Sequence, residues 1–191
     1  MVGILLAAGF SRRFGPGNKL LHLLPDGSPV GLAAGRHLIQ AMPLSIAVVR
    51  PENAELAVLL REAGLKVLVC TEREQEMADS LSAAVRFSAA FAESGGGLVI
   101  ALADMPFIQP QTIAEVAGKL AAGASIVVPT YRDQRGHPVG FAAKFRADLE
   151  SLRGDEGARS ILKRFQAEVQ LLECNDAGIL ADIDTPADIR T

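Results

Sequence analysis

The stretch Val2-Gly3-Ile4-Leu5-Leu6-Ala7-Ala8-Gly9-Phe10-Ser11-Arg12-Arg13-Phe14-Gly15, with Lys19 close behind, sets the reading of the whole chain. Residues 2–6 form a short apolar run of strand character. They deliver a loop of small residues that carries two adjacent arginines and a lysine. Glycine and alanine let backbone N–H groups approach a ligand closely, and successive N–H groups of this kind make a concave nest for anions. Arginine adds planar, multi-donor recognition of phosphate oxygens, and lysine adds a point charge. Such a loop at the end of a first strand suits a triphosphate. A glycine-rich turn with solvated arginines is the plainer reading of the same residues.

Outward from this loop, apolar runs alternate with amphipathic stretches. Strand-like segments fall at 2–6, 44–49, 66–70, 97–102 and 125–129, and helix-like ones at about 29–41, 52–63, 78–92 and 110–122. The runs are apolar almost without interruption, as parallel strands covered on both faces require. Ser28 before Pro29, Pro51-Glu52 and Pro110-Gln111 supply helix starts. The expected fold is therefore α/β, with a Rossmann-like, doubly wound, mostly parallel sheet and helices on both faces, in one domain over 1–191. The last third departs from the alternation. Segment 130–142 reads as irregular or hairpin, 143–151 and 157–166 as helical, 168–173 as a strand, and Thr185 onward as a helical turn.

Composition narrows the classes. At 191 residues and 49% hydrophobic content, one substantial core can be buried. The 19 basic and 22 acidic residues are scattered and leave a net charge of −3, which does not suggest a nucleic-acid-binding surface. Cys70 and Cys174 lie far apart with no CxxC, and read as small buried hydrophobes in a reducing compartment. No run approaches the roughly 20 apolar residues that span a bilayer, and the first run lacks a basic leader. The expected location is cytoplasmic, with no membrane partner.

Four further segments carry chemistry, and open α/β sheets place ligands outside the carboxyl ends of strands. Ala103-Asp104-Met105-Pro106-Phe107 ends a buried strand with an acid that is either a Mg²⁺ ligand or the cap of the turn before Pro106. In Ala181-Asp182-Ile183-Asp184-Thr185-Pro186-Ala187-Asp188, capping accounts for Thr185, Pro186 and Asp188 but not for Asp182 or Asp184. On an extended segment those two carboxylates point the same way. Gly136-His137-Pro138-Val139 is by itself only a turn with a hydrogen-bonding histidine. Asp79-Ser80-Leu81 opens a helix, a favourable place for an anion or a ribose hydroxyl. His22 and His37 have no partner spacing and read as structural.

Together these strings resemble the molybdenum cofactor cytidylyltransferases of the NTP transferase superfamily, with motifs in family order from about residue 3 to 190. The carriers are Leu6-Ala7-Ala8-Gly9-x-Ser11-x-Arg13-x-Gly15 with Lys19, Ala-Asp-Met-Pro-Phe, Gly-His-Pro-Val, Gly154-Asp155-Glu156-Gly157-Ala158-Arg159 and Asp-Ile-Asp-Thr-Pro. The resemblance implies the nucleotide-diphospho-sugar transferase type of fold and transfer of CMP from CTP to the terminal phosphate of molybdopterin, with Mg²⁺. It implies a nucleotide site at Leu6, Ala7, Ala8, Gly9, Ser11, Arg13, Lys19 and Ser80. Arg13 and Lys19 would neutralise charge during catalysis with Asp104, and Arg12 would matter less. Metal ligation falls to Asp104, Asp184 and Asp182. Acceptor contacts fall to His137, Asp155 and Arg159, with a helix cap as the other reading of Asp155. The product would pass to a molybdoenzyme. One departure stands out: the family usually has two residues between the glycine and the lysine, and Pro16-Gly17-Asn18 makes three.

The sister guanylyltransferases more often read Leu-Ala-Gly-Gly in the first loop, so Ala8 and the Asp-Ile-Asp-Thr-Pro ending favour the cytidylyl branch. A transferase for another phosphorylated acceptor and a non-catalytic carrier of nucleotide or cofactor are the other readings. A dinucleotide-dependent oxidoreductase lacks its G-x-G-x-x-G loop.

Overall fold

Ile4 and Leu5 are neighbours in sequence and both fully buried, yet they belong to different apolar clusters. Successive strand residues point to opposite faces, so a strand buried throughout must have cover on both sides. The computed structural model describes residues 1–191 except 10–13, 15, 16, 72, 73, 75, 92–95, 155, 156, 191 and the side chain of Arg190. Its elements run β1 (Val2–Ala7), α1 (Val30–Ala41), β2 (Ser45–Val49), α2 (Ala54–Glu62), β3 (Lys66–Val69), α3 (Met77–Ser88), β4 (Leu98–Leu102), α4 (Pro110–Ala121), β5 (Ile126–Tyr131), β6 (Gln134–Arg135), β7 (Val139–Phe141), α5 (Arg146–Glu150), α6 (Arg159–Arg164) and β8 (Val169–Glu173).

The sheet order is β3-β2-β1-β4-β7-β5-β6, with β8 on β5. Strands β3, β2, β1 and β4 are mutually parallel, and β8 is parallel to β5. Helices α1, α2 and α4 give Leu38, Leu60 and Val116 to the cluster containing Leu5. Helices α3, α5 and α6 give Leu81, Leu149 and Ile161 to the cluster containing Ile4. The doubly wound α/β sheet is therefore present, with three α-helices on each face among the described residues.

Two details differ from the sequence reading. Segment 130–142 holds the hairpin expected there, with Thr130 and Tyr131 of β5 facing Arg135 and Gln134 of β6, but it also adds β7, which runs antiparallel to both β4 and β5 and separates them. Three residues with a central glycine carry little strand signal, and no local pattern dictates insertion between two longer strands. Helix α1 takes Pro29 rather than Ser28 as its N-cap, and the Ser28 N–H instead donates to Asp26 Oδ1 at 2.8 Å.

The chain leaves β1 toward β2 and β3 on one side and returns as β4 on the other. This makes a switch point between β1 and β4, where the carboxyl ends of the two strands diverge. The first loop and Asp104 both emerge there.

Candidate functional site

Lys19 follows the first loop and opens a short 3-10 turn, Lys19–Leu21. It is only 7% exposed, and its Nζ lies 2.8 Å from Asp104 Oδ2 and 3.6 Å from Asp184 Oδ1. Three groups from distant parts of the chain thus meet at the mouth between β1 and β4. A buried cation is tolerated only where opposite charge compensates it, and the two carboxylates do so. The donor set is two hard carboxylates turned on one positive charge. That chemistry fits Mg²⁺ or Mn²⁺, which take one or two carboxylates and leave the other positions to phosphate oxygens and water. Asp104 and Asp184 are the side chains that could hold such an ion.

Asp184 reaches this point because the segment 176–184 is stitched down along its length. Asp176 is 2% exposed and accepts from Gln109 N at 2.9 Å, Thr112 Oγ1 at 2.7 Å and Gly178 N at 2.9 Å. The His137 N–H donates to Ile179 O at 3.1 Å, and the Ile183 N–H to Asp104 O at 2.9 Å. A Cβ on Gly178 would collide with the Phe107 carbonyl, and one on Gly136 with the Ile179 carbonyl. The segment therefore lies wedged between the loop that carries Asp104 and the loop that carries His137, with glycines where backbones touch. Gly178→Ala should cost about 1–3 kcal/mol, because its obstacle is backbone and cannot rotate away. A shift of the urea midpoint at constant slope would measure it.

Beyond Asp184, Asp188 Oδ2 accepts from Thr185 N (2.7 Å), Thr185 Oγ1 (2.9 Å) and Asp184 N (3.0 Å). The Thr185 N–H, then the Thr185 hydroxyl and the Asp184 N–H, hold the Asp188 carboxyl below its ordinary pKa. The expected helix-start role of Thr185 and Asp188 is seen, in a 3-10 turn at Pro186–Arg190. It also fixes the backbone of Asp184.

His137 stands beside this centre. Burial pushes its pKa below the ordinary histidine value; the Asp104 carboxylate opposes that, Arg159 adds to the lowering, and Asp182 opposes it. The imidazole is neutral at pH 7, with one nitrogen free to accept. Its Nδ1 is buried with no hydrogen-bond partner among the described residues. Asp104, Arg159 and Asp182 thus each lie within electrostatic reach of His137. Asp182 and Arg159 are exposed, unlike Lys19.

Of the first loop, Leu6 O accepts from Ala103 N at 3.0 Å, Ala7 and Ala8 are buried, and Gly9 is exposed. A Cβ on Gly9 would meet no atom within 4 Å among the described residues. Ser11, Arg12, Arg13 and Asp155 lie outside the described residues. Ser80 is buried, with its hydroxyl donating to Glu76 O at 3.3 Å and receiving the Cys70 thiol at 3.7 Å. That hydroxyl faces inward from the start of α3. Burial, first among its causes, raises the Cys70 pKa, so the thiol stays protonated. His22 packs edge-on against Phe14, with ring centroids 5.4 Å apart.

Sequence reasoning missed Arg50, Asn18, Asn53 and Asp176. Arg50 Nε donates to Ala8 O at 2.8 Å, and Asn18 Nδ2 donates to Asn53 Oδ1 at 2.6 Å. Their only local signal was a polar side chain just beyond a strand end or beside a loop. That signal becomes informative once the parallel register is known.

Residues 3–170 match the family model described as a MobA-like NTP transferase domain. Purine catabolism protein PucB of Bacillus subtilis is 34% identical over 198 residues, covering 97% of this chain and 92% of its own. Nicotine blue oxidoreductase of Paenarthrobacter nicotinovorans is 29% identical over 201 residues, with the same 97% and 92% coverage. Among solved structures, Rv0371c of Mycobacterium tuberculosis matches with a TM-score of 0.78 at 26% identity, covering 100% of this chain and 96% of that one. Another structure of Rv0371c, with a TM-score of 0.74 at 24% identity and 99% and 95% coverage, is a complex with manganese. Among the described residues, no helix is long and apolar enough to cross a membrane.

Proposed function

Because the chain belongs to the family of MobA-like NTP transferase domains, we propose that this nucleotidyltransferase moves CMP from CTP to the terminal phosphate of molybdopterin or its molybdenum-bearing form. Pyrophosphate is the second product, and a molybdoenzyme is the destination of the first. The observation that carries this reading is the Lys19 ammonium held between Asp104 and Asp184 at the sheet's switch point.

The chemistry needs little beyond positioning and charge. An acceptor phosphate oxygen attacks the α-phosphorus in line. The bond between that phosphorus and the bridging oxygen toward the β-phosphate breaks, and pyrophosphate leaves with the electron pair. An ionised phosphate is already a nucleophile, so no general base is required. Asp104 and Asp184 would hold the Mg²⁺, which when bound supplies charge neutralisation on the triphosphate; Asp182 is exposed, and no set of three metal-ligating side chains is gathered among the described residues. Lys19 and Arg13 would bind phosphate oxygens, with Ser11 and the backbone of Leu6, Ala7, Ala8 and Gly9 forming the cradle. The open space over Gly9 supports this, since no internal packing explains the missing side chain. His137, Arg159 and Asp155 would face the acceptor. A neutral, buried Nδ1 can donate to or accept from a pterin or phosphate group without bringing extra charge.

The test is pyrophosphate release with Mg²⁺ and molybdenum cofactor, comparing CTP, GTP and ATP. Release at least about tenfold faster with CTP, a difference of about 1.4 kcal/mol in the barrier, is expected. Preference for GTP would reassign the chain to guanylyl transfer.

A further inference from the structure

We propose that Asn18 and Asn53 form a clasp that sets the position of Lys19, with Arg50 gripping the opposite end of the same loop. Among the described residues, the hydrogen bonds of Asn18 and Asn53 run to each other and to Leu20 N, with none shown to the carboxylates. Both act through Lys19, and so are positioning residues.

The loop runs from Ala8 to Asn18, and one four-residue segment holds both ends. Arg50 Nε donates to Ala8 O at 2.8 Å at the start, and Asn53 Oδ1 accepts from Asn18 Nδ2 at 2.6 Å at the finish. That segment, Arg50 with the 3-10 turn Pro51–Asn53, directly follows β2, which pairs with β1. The grip therefore has its root in the sheet. A lysine that follows a tethered asparagine samples fewer positions than one that follows a free asparagine.

The orientation of the clasp is fixed by chemistry. Asn18 Oδ1 accepts from Leu20 N at 3.1 Å and caps the turn that Lys19 opens. Its oxygen is thus committed to an N–H donor, and its NH₂ must face Asn53, which must in turn present its oxygen. Asn53 occupies the N-cap position of α2 but makes no side-chain cap hydrogen bond there. Its side chain serves the loop and not the helix. The clasp also gives the long spacer an account. Pro16-Gly17-Asn18 separates Gly15 from Lys19, and the last of the three supplies the tether from which Lys19 reaches Asp104.

The experiment is acetic anhydride labelling of the nucleotide-free protein, read lysine by lysine by mass spectrometry, with exposed Lys66 and Lys119 as internal references. Lys19 should label slowly in the wild type. Asn53→Ala should label at Lys19 about tenfold faster, the scale of one hydrogen bond, with both references unchanged. Asn53→Asp keeps the accepting oxygen and should behave as wild type. Asn18→Asp keeps the cap on Leu20 but loses the donor, and should match Asn53→Ala. Unchanged Lys19 labelling in both Asn53→Ala and Asn18→Asp overturns the proposal, as does Asn53→Asp labelling as fast as Asn53→Ala. The role in turnover rests on the nucleotidyl-transfer reading, which predicts that kcat falls more than KM rises in Asn53→Ala and recovers in Asn53→Asp. Labelling needs no turnover, so failure of that reading and failure of the clasp register separately.

Discussion

Asp104→Asn should lower turnover by about a thousandfold or more, the equivalent of roughly 4 kcal/mol of transition-state stabilisation. The side chain is isosteric, so the loss is one of charge. Two ligands would hold the metal, and removing one negative oxygen set weakens the hold while leaving Lys19 with Asp184 alone at 3.6 Å. The fold should survive, because the structural bond at this position uses the backbone: Ile183 N–H donates to Asp104 O at 2.9 Å. A melting profile matching wild type, together with lost turnover, is the expected pair of results. Normal turnover in Asp104→Asn would remove Asp104 from the site.

Asp176→Ala should be the most damaging substitution for stability outside the apolar core, at about 3–4 kcal/mol. Its carboxylate is buried and accepts three hydrogen bonds, so truncation strands the Gln109 N–H, the Thr112 hydroxyl and the Gly178 N–H without their acceptor. Buried donors left unmatched each cost on the order of 1–3 kcal/mol, with partial relief from relaxation or water. For a chain of this size the melting point should fall by roughly 10 °C. Thr112→Val removes one donor and leaves the others paired, so its cost should be near 1 kcal/mol. Asp176→Ala should also depress turnover, since the segment it anchors carries Asp184. A melting point within about 2 °C of wild type would show that the carboxylate does not hold that segment.

The sheet was legible because burial on both faces writes itself as unbroken apolar runs. Leu98-Val99-Ile100-Ala101-Leu102 is a strand in sequence and in structure for the same reason, as it has cover on both sides. Strand β7 was not legible as such, because Val139-Gly140-Phe141 looks like a turn exit and owes its place to partners at Leu98–Ile100 and Ile126–Val127. At the candidate site, Lys19 and Asp104 stand out locally as charged side chains beside a small-residue loop and an apolar strand, whereas Asp184 was named through the family resemblance of Asp-Ile-Asp-Thr-Pro. The support around them could not. Cys174-Asn175-Asp176-Ala177-Gly178 reads as an ordinary turn, and the demand for Asp176 comes from α4, more than sixty residues earlier. Asn18 and Asn53 each look like a surface asparagine until the β1–β2 pairing brings them together.

The measurement that bears most directly on the central claim follows the phosphates of CTP separately, using the protein with Mg²⁺ and molybdenum cofactor. With label at the α-phosphate, radioactivity should move to the acceptor. With label at the γ-phosphate, it should appear only in pyrophosphate. Transfer of the γ-label to the acceptor, or release of the α-label as free CMP without acceptor modification, would contradict nucleotidyl transfer at the Lys19, Asp104 and Asp184 site.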